Sequence, residues 1–361
     1  MILFTSMKQH DKVFIIFSPA FPADEKDTIW LPSLQTFVRA LNRNFPQLKV
    51  IVFAFQYPHA SKTYQWHNNT IISYNGMHKT RAARLLMWAN IFFKVRKIKS
   101  QHHVVGIFSQ WCTECTFVAK HVAKYFKIQQ FCWILGQDAR KSNTYVKRIR
   151  PKASSLITLS DFLVDEFEKN HGIRPQHVIP KGIDVSLFEA MPKVKDIDII
   201  GAGSLSVLKQ YDRFVQIISM LKKSKPDIKA MLCGGGEDHQ HIEELAQQLS
   251  LNKNLKLTGI IQHAEVLQMM QRAKILLHPS SYEGFGTVCL EALYAGAHVI
   301  SFVQPMYRDI KNWHVVKTTE EMHDKALQLL NDPGTKFNEN VLVYSIDDCA
   351  KAVMKLFGYT A

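Results

Sequence analysis

Two glutamates, Glu283 and Glu291, stand eight residues apart in the stretch HPSSYEGFGTVCLEALYAG, residues 278–296. Ahead of them Ile275, Leu276 and Leu277 read as a buried parallel strand that stops at Pro279. Ser280 and Ser281 are helix-capping types, and Gly284 and Gly286 leave the backbone bare. Val288, Leu290, Ala292, Leu293 and Ala295 then lie on a helix that Gly296 is placed to end. Strand, glycine-rich turn and helix leave N–H groups at the positive end of a helix dipole, which suits a phosphate. Glu283, in the turn, can approach what is bound at the helix start. Glu291, over a turn into the helix, reaches hydroxyls further along. As spacing alone, two such glutamates also describe a solvated helix face.

E-G-F-G-x-x-x-L-E-A after a Pro-Ser turn resembles the E-x7-E signature of the retaining glycosyltransferases of family 4, bacterial type. The fold of that family is GT-B: α/β, with two Rossmann-like αβα domains facing across a cleft. The resemblance implies that Glu283 lies by the transferred sugar and that Glu291 holds the nucleotide ribose. It also implies that the amides of Gly284, Phe285, Gly286 and Thr287 face the diphosphate.

Further motifs extend the resemblance. The family pattern G-R-L-x-x-x-K-G, with Arg and Lys on the diphosphate, is met by Gly203, Leu205 and Lys209. Ser204 replaces the Arg and Gln210 the second Gly. Gly234, Gly235, Gly236 and Glu237 are similar to the family's G-x-G-x-E loop, and Ile261 falls in the segment that borders the nucleotide base. Residues 178–184, VIPKGID, resemble the linker between the two domains. Where the family has H-G-x-D, this chain keeps Gly136 and Asp138, but Leu135 stands in place of His. Asp138 at the C-terminal end of a strand is a candidate site residue, because α/β sheets bind ligands there; a plain turn-former is the other reading. The first strand's loop, residues 19–23, is PAFPA and lacks the family's Gly-Gly.

Two competing motifs are weaker. Asp196 and Asp198 form a D-x-D string, which binds a divalent metal in the other glycosyltransferase fold. Here they precede an apolar strand and read as strand entry. Gly201-Ala-Gly203 lacks the third glycine of a dinucleotide fingerprint. No metal and no cofactor is expected.

These motifs need a scaffold of alternating strands and helices, and the apolar runs supply one. Residues 12–17, 48–55, 103–108, 129–135, 230–233, 255–259 and 298–302 read as strands. Helical spacing between them implies parallel sheets with covering helices. At 361 residues two domains are expected, 1–180 and 181–344, with a C-terminal helix in 345–361 that crosses back to the first. Hydrophobic content of 47% and no apolar run of membrane-spanning length fit a globular protein without a predicted span. The start, MILFTSMKQHDK, has too short an apolar core for an export signal, and six scattered cysteines suit a reducing cytoplasm. Cys112 and Cys115 form a C-x-x-C with no second pair to complete a zinc site.

Charge divides the chain. Residues 1–180 hold 25 Lys and Arg against 10 Asp and Glu, a balance of +15; residues 181–361 hold 20 against 21, or −1. Residues 78–103 carry seven Lys and Arg and no acid around an apolar segment, and residues 140–152 add more. A helix covering the sheet explains this stretch, and so does a face on an anionic membrane; both can hold at once. Nucleic acid is not expected, since no binding module is present. The expectation is a retaining, metal-independent glycosyltransferase of cell-surface polysaccharide or glycolipid assembly, on the inner face of the membrane. It would take a UDP or GDP sugar as donor and a glycan or lipid-linked hydroxyl as acceptor. Two alternatives stay open: a nucleotide-sugar-binding partner subunit and a sugar-nucleotide epimerase.

Overall fold

The computed structural model describes residues 11–28, 30–190 and 194–360. Most of the segment judged for an export signal therefore lies outside the described residues. The chain divides into two compact units, one of Met1–Leu159, Leu163–Pro180 and Ile346–Ala361, the other of Ser160–Phe162 and Lys181–Ser345.

The first unit runs β1 (Lys12–Ala20), α1 (Pro32–Asn44), β2 (Leu48–Tyr57), β3 (Thr63–Trp66), β4 (Asn69–Ser73), α2 (Arg81–Gln101), β5 (His103–Gln110), α3 (Glu114–Phe126), β6 (Gln130–Ile134), α4 (Tyr145–Ile149), β7 (Leu156–Thr158), α5 (Asp161–His171) and β8 (His177–Val178). Its sheet has the order β3-β4-β2-β1-β5-β6-β7-β8. Every pairing is parallel except β3 with β4. Strands β1 and β2 read as unbroken apolar runs because helices cover both faces of a parallel sheet. One such face is Phe17, Phe55 and Ile107 packed under Met87, Ile91 and Val95 of α2.

Two details differ from the sequence reading. Strand β1 continues past residue 17 through Pro19 to Ala20. Its register against β2 shifts between Ser18 and Ala20, and such an irregularity is where a strand accommodates a proline, which has no N–H. The β3–β4 hairpin, at the sheet edge, was not foreseen, because its two strands are only four and five residues long.

The second unit runs β9 (Ile197–Ala202), α6 (Tyr211–Ser224), β10 (Ala230–Cys233), α7 (His239–Gln248), β11 (Leu255–Gly259), α8 (His263–Arg272), β12 (Ala273–His278), α9 (Thr287–Tyr294), β13 (His298–Ser301), β14 (Trp313–Val315) and α10 (Thr319–Asn331). The sheet order is β11-β10-β9-β12-β13-β14, all parallel. That is the Rossmann order 3-2-1-4-5-6, and its direction reverses between β9 and β12. Loops leaving those two strands diverge and leave a crevice at their C-terminal ends, so ligand chemistry belongs there.

The last helix, α11 (Ile346–Leu356), belongs to the first unit. Asp347 accepts from Arg43 of α1 at 3.0 Å, and the Phe357 ring meets those of Phe14 and Phe131 at 4.9 Å each.

Candidate functional site

Strand β12 ends at His278, and α9 does not begin until Thr287. Gly286 is its N-cap with φ 82°, a left-handed conformation that glycine adopts without steric cost. No side chain caps the helix. This corrects the capping role expected of Ser280 and Ser281, which lie too far ahead of Thr287. Their hydroxyls instead reach the carbonyl of Leu208, Ser281 Oγ at 3.2 Å, and the Ser281 amide donates to the same oxygen. The turn before α9 is thereby tied to the loop that carries Lys209. Ser160 Oγ donates to the Gly284 carbonyl at 2.5 Å and holds the other side of the turn.

That second loop leaves β9 at the switch point. Gly203 donates to Cys233 O, Leu205 to Gly235 O, and Asp238 to Leu205 O, so two loops run backbone against backbone. A Cβ on Gly234 would stand 1.9 Å from the Gly203 carbonyl oxygen, and one on Gly236 2.1 Å from that of Leu205. The glycine run after β10 is thus required by this close approach. Gly235 lies against Ile260, which a Cβ would meet at 2.7 Å. Further along, Gln210 has φ 51° and ψ 45°. The position calls for a left-handed residue, which explains the glycine of the family pattern; Gln210 adopts it at a cost of about 1–2 kcal/mol.

These loops bring Lys209 and Glu283, 74 positions apart, into a direct ion pair between Lys209 Nζ and Glu283 Oε2. His278 Nε2 lies 3.2 Å from the same oxygen. All three are largely out of water: the His278 side chain is 3% exposed, those of Lys209 and Glu283 19% each. Burial lowers the His278 pKa, so its ring is neutral near pH 7 and donates Nε2–H to the carboxylate. Burial also disfavours the charge on Glu283, but the His278 hydrogen bond and the Lys209 ammonium outweigh it and hold the pKa at about 2. Beside them the Tyr211 hydroxyl is buried without a hydrogen-bond partner among the described residues, and it borders Gly203. Burial pushes its pKa well up, so it remains a donor.

Glu291, on α9, accepts from His263 Nε2 at 2.8 Å across the start of α8. Burial works against a charged His263 ring, yet the Glu291 hydrogen bond and charge prevail and raise its pKa above 6.5. Sequence reasoning missed His263, His278 and Tyr211. His278 had a signal, since it is the last residue of the strand feeding the turn; the other two are joined to the site only by packing.

Among the other sequence-predicted residues, Ser204 is exposed and Ile261 half-buried, while Gly284, Phe285 and Gly286 are buried. Asp138 belongs to the first unit, where it is 3% exposed. Its Oδ1 accepts from the amides of Leu135 and Gly136 and its Oδ2 from Cys112. Burial raises its pKa even against these hydrogen bonds. The Asp138 carboxylate thereby ties the ends of β5 and β6 together. Asp196 pairs with Arg272 at 2.8 Å and Asp198 with Lys274 at 2.7 Å, which gives the D-x-D pair separate structural partners.

Residues 186–342 match the family model described as glycosyl transferases group 1. Over that segment, a little under half of the sequence, the chain is similar to this family. The matched segment contains both switch-point loops and every donor-side residue named above. Among curated relatives, the gpi3 subunit of phosphatidylinositol N-acetylglucosaminyltransferase from Schizosaccharomyces pombe is 29% identical over 127 residues, 34% of this chain and 28% of that protein. Glycogen synthase from Mycobacterium tuberculosis is 25% identical over 174 residues, 47% of this chain and 42% of the synthase. The chain thus spans less than half the length of these relatives. The crystal structure of Anabaena Alr3699/HepE in complex with UDP and glucose aligns over 96% of this chain and 95% of that one, with a TM-score of 0.65 at 15% identity. The fold shared over that length is GT-B.

The His263–Glu291 pair has a testable consequence. Glu291→Gln removes the charge that raises the His263 pKa and leaves burial unopposed, so the ring should titrate below 6.5 in place of above it. NMR titration of the His263 ring protons checks this. Because the pKa is raised in the folded protein, the pair stabilises fully below pH 6.5 and loses its effect as pH rises through the folded value. Chemical denaturation should accordingly show a larger loss for Glu291→Gln at pH 5.5 than at pH 8.

Proposed function

We propose that the protein is a retaining, metal-independent glycosyltransferase. It moves a sugar from a nucleoside diphosphate to an acceptor hydroxyl. The observation that carries this reading is the Lys209–Glu283–His278 cluster at the switch point, inside the segment that matches group 1. During transfer the bond from the anomeric carbon to the diphosphate oxygen breaks. The acceptor oxygen bonds to that carbon, and the acceptor's proton is released. Negative charge grows on the diphosphate as the bond breaks, so donors fixed beforehand act mostly on the transition state.

Lys209 is the cation for that charge, with the amides of Gly284 to Thr287 and the Tyr211 hydroxyl as neutral donors around it. Glu283 stays ionised at neutral pH and positions the sugar ring while it holds Lys209 in place. Neutral His278 keeps one carboxylate oxygen occupied. Glu291, oriented by His263, accepts from the ribose hydroxyls. Ser204 supplies no cation where the family has Arg, so the diphosphate rests more heavily on Lys209. The donor is a UDP sugar by likeness to the HepE structure, a complex with UDP and glucose. A lipid-linked acceptor is supported by the gpi3 relative, whose name gives phosphatidylinositol.

The first unit supports membrane attachment. No helix among the described residues is long and apolar enough to cross a membrane. Helix α2, however, exposes Leu85 at 60%, Leu86 at 73% and Phe93 at 61% beside the exposed Arg81, Arg96 and Lys97. Apolar side chains among cations suit an anionic bilayer surface, where each nearby Lys or Arg contributes about 1 kcal/mol. A nucleotide-sugar-binding subunit is the second reading, favoured by Ser204 and Leu135. Donor hydrolysis measured with and without candidate partner proteins separates it from the first.

Three outcomes test the proposal. Lys209→Ala should lower kcat at least tenfold, a loss of about 1.4 kcal/mol, with a smaller change in KM. An unchanged kcat would place the diphosphate elsewhere. Glu291→Ala should weaken UDP binding in calorimetry, because charge-assisted hydrogen bonds contribute roughly 1.5–3 kcal/mol each. Equal affinity in the folded variant removes Glu291 from the ribose site. In liposome flotation at low salt, anionic but not neutral vesicles should carry the protein, and 1 M salt should release it as the Debye length falls to about 3 Å. Recovery with both vesicle types, or with neither, overturns the membrane reading.

A further inference from the structure

We infer that a cavity in the first unit, between α2 and the β3–β4 hairpin, binds a phosphate group through Lys62, Lys79 and Lys94. It is an open groove of about 520 Å³. Helix α2 lines it with Ala83, Met87, Asn90 and Lys94, residues four, three and four apart that share one helix face. The hairpin side contributes Lys62 and Tyr74, and the segment leading into α2 contributes Lys79. The site is remote in sequence from the segment that matches group 1, and the inference does not rest on the donor reading.

Its charge is one-sided. Three lysines line it, and no acidic residue does. None of the three lysines forms an ion pair among the described residues. Lys62 lies over the Tyr64 ring at 4.7 Å and donates to the Ala23 carbonyl at 3.4 Å, and Lys94 lies over the Tyr74 ring at 5.7 Å; none of these contacts is to a carboxylate. Asp24 and Asp27, earlier in the unit, are engaged by the amides of Ala23, Lys26 and Trp30 and by the Tyr57 hydroxyl. Burial pushes the Lys94 pKa down, a sign that its charge lacks a partner.

The neutral groups point the same way. Tyr74 donates its hydroxyl to Asn90 Oδ1 at 3.1 Å. That orients the Asn90 amide so that its remaining polar group is the NH2, a donor. Lysine side chains and an amide NH2 at one site form a set of donors, and the ligand that answers it is an anion with several acceptor oxygens on one centre. A phosphate has that form. Leu86 lies at the cavity and Leu85 beside it, both exposed, so one side of the opening is apolar. The phosphate has two possible carriers, a soluble phosphorylated sugar or glycerol and the headgroup of a lipid.

Amine labelling of the full chain, with each lysine read by peptide mass spectrometry, tests this directly. Inorganic phosphate should slow the labelling of Lys79 and Lys94 relative to the exposed Lys97, and sodium chloride at matched ionic strength should not. Protection follows occupancy: about twofold at the dissociation constant and about tenfold at ten times it. Lys62→Ser should weaken the protection of Lys94, and Asn90→Ala should do so without altering any charge. Because labelling is read lysine by lysine, phosphate bound near Lys209 is scored separately. Glycerol phosphate and vesicles of phosphatidic acid or phosphatidylcholine distinguish the carriers. Protection by glycerol phosphate alone supports a soluble group, and stronger protection by phosphatidic acid vesicles supports a headgroup. Equal labelling of Lys79 and Lys94 in phosphate and in chloride overturns the inference.

Discussion

The Glu283 carboxylate ties the loops of the second unit together. Glu283 must keep its charge away from water, and the fold satisfies it with Lys209 on one side and His278 on the other. Removing one partner of a buried pair leaves an uncompensated charge, at a cost of about 3–5 kcal/mol. That penalty makes the loop after β9 and the turn after β12 depend on each other. The serine hydroxyls on Leu208 and the glycine contacts between the loops then fix the spacing to within a side-chain length. A strong internal pair also sets a condition on function, because any diphosphate that reaches Lys209 competes with Glu283 for it.

The first unit is built on the opposite electrostatic principle. Most of its lysines and arginines have no carboxylate to meet, since the unit carries far fewer acids than bases. Folding tolerates this because the charges sit on exposed helix faces and at the rim of one cavity, where water screens them. Uncompensated charge of one sign attracts anions, and α2 adds exposed leucine and phenylalanine to the same region. A surface and a cavity on one helix can thus meet the two parts of an amphiphile.

Departures from the family pattern read differently once the packing is known. Gln210 shows why glycine belongs at that position, because its backbone is left-handed. Asp138 shows the reverse case. Its place at a strand end suggested chemistry, but three amides occupy its oxygens. Ser204 is exposed and leaves the nearby positive charge to Lys209.

Much of the architecture was legible in the chain itself. Short apolar runs such as Phe14–Phe17, ended by turn residues, read as strands buried on both faces, and the helices between them imply parallel pairing. Glycines at 234, 236 and 286 mark places where a Cβ or an ordinary φ is excluded. The motif around Glu283 and Glu291 was visible because its residues are neighbours in sequence. What the sequence could not supply is the identity of partners far along the chain. His263 meets Glu291 across 28 positions and Lys209 meets Glu283 across 74. Such contacts depend on sheet order and loop course, which local spacing does not encode. The β3–β4 hairpin and the lysines it shares with α2 were hidden for the same reason. Short edge strands carry little periodic signal, and convergence of charge on one cavity exists only after the chain has folded.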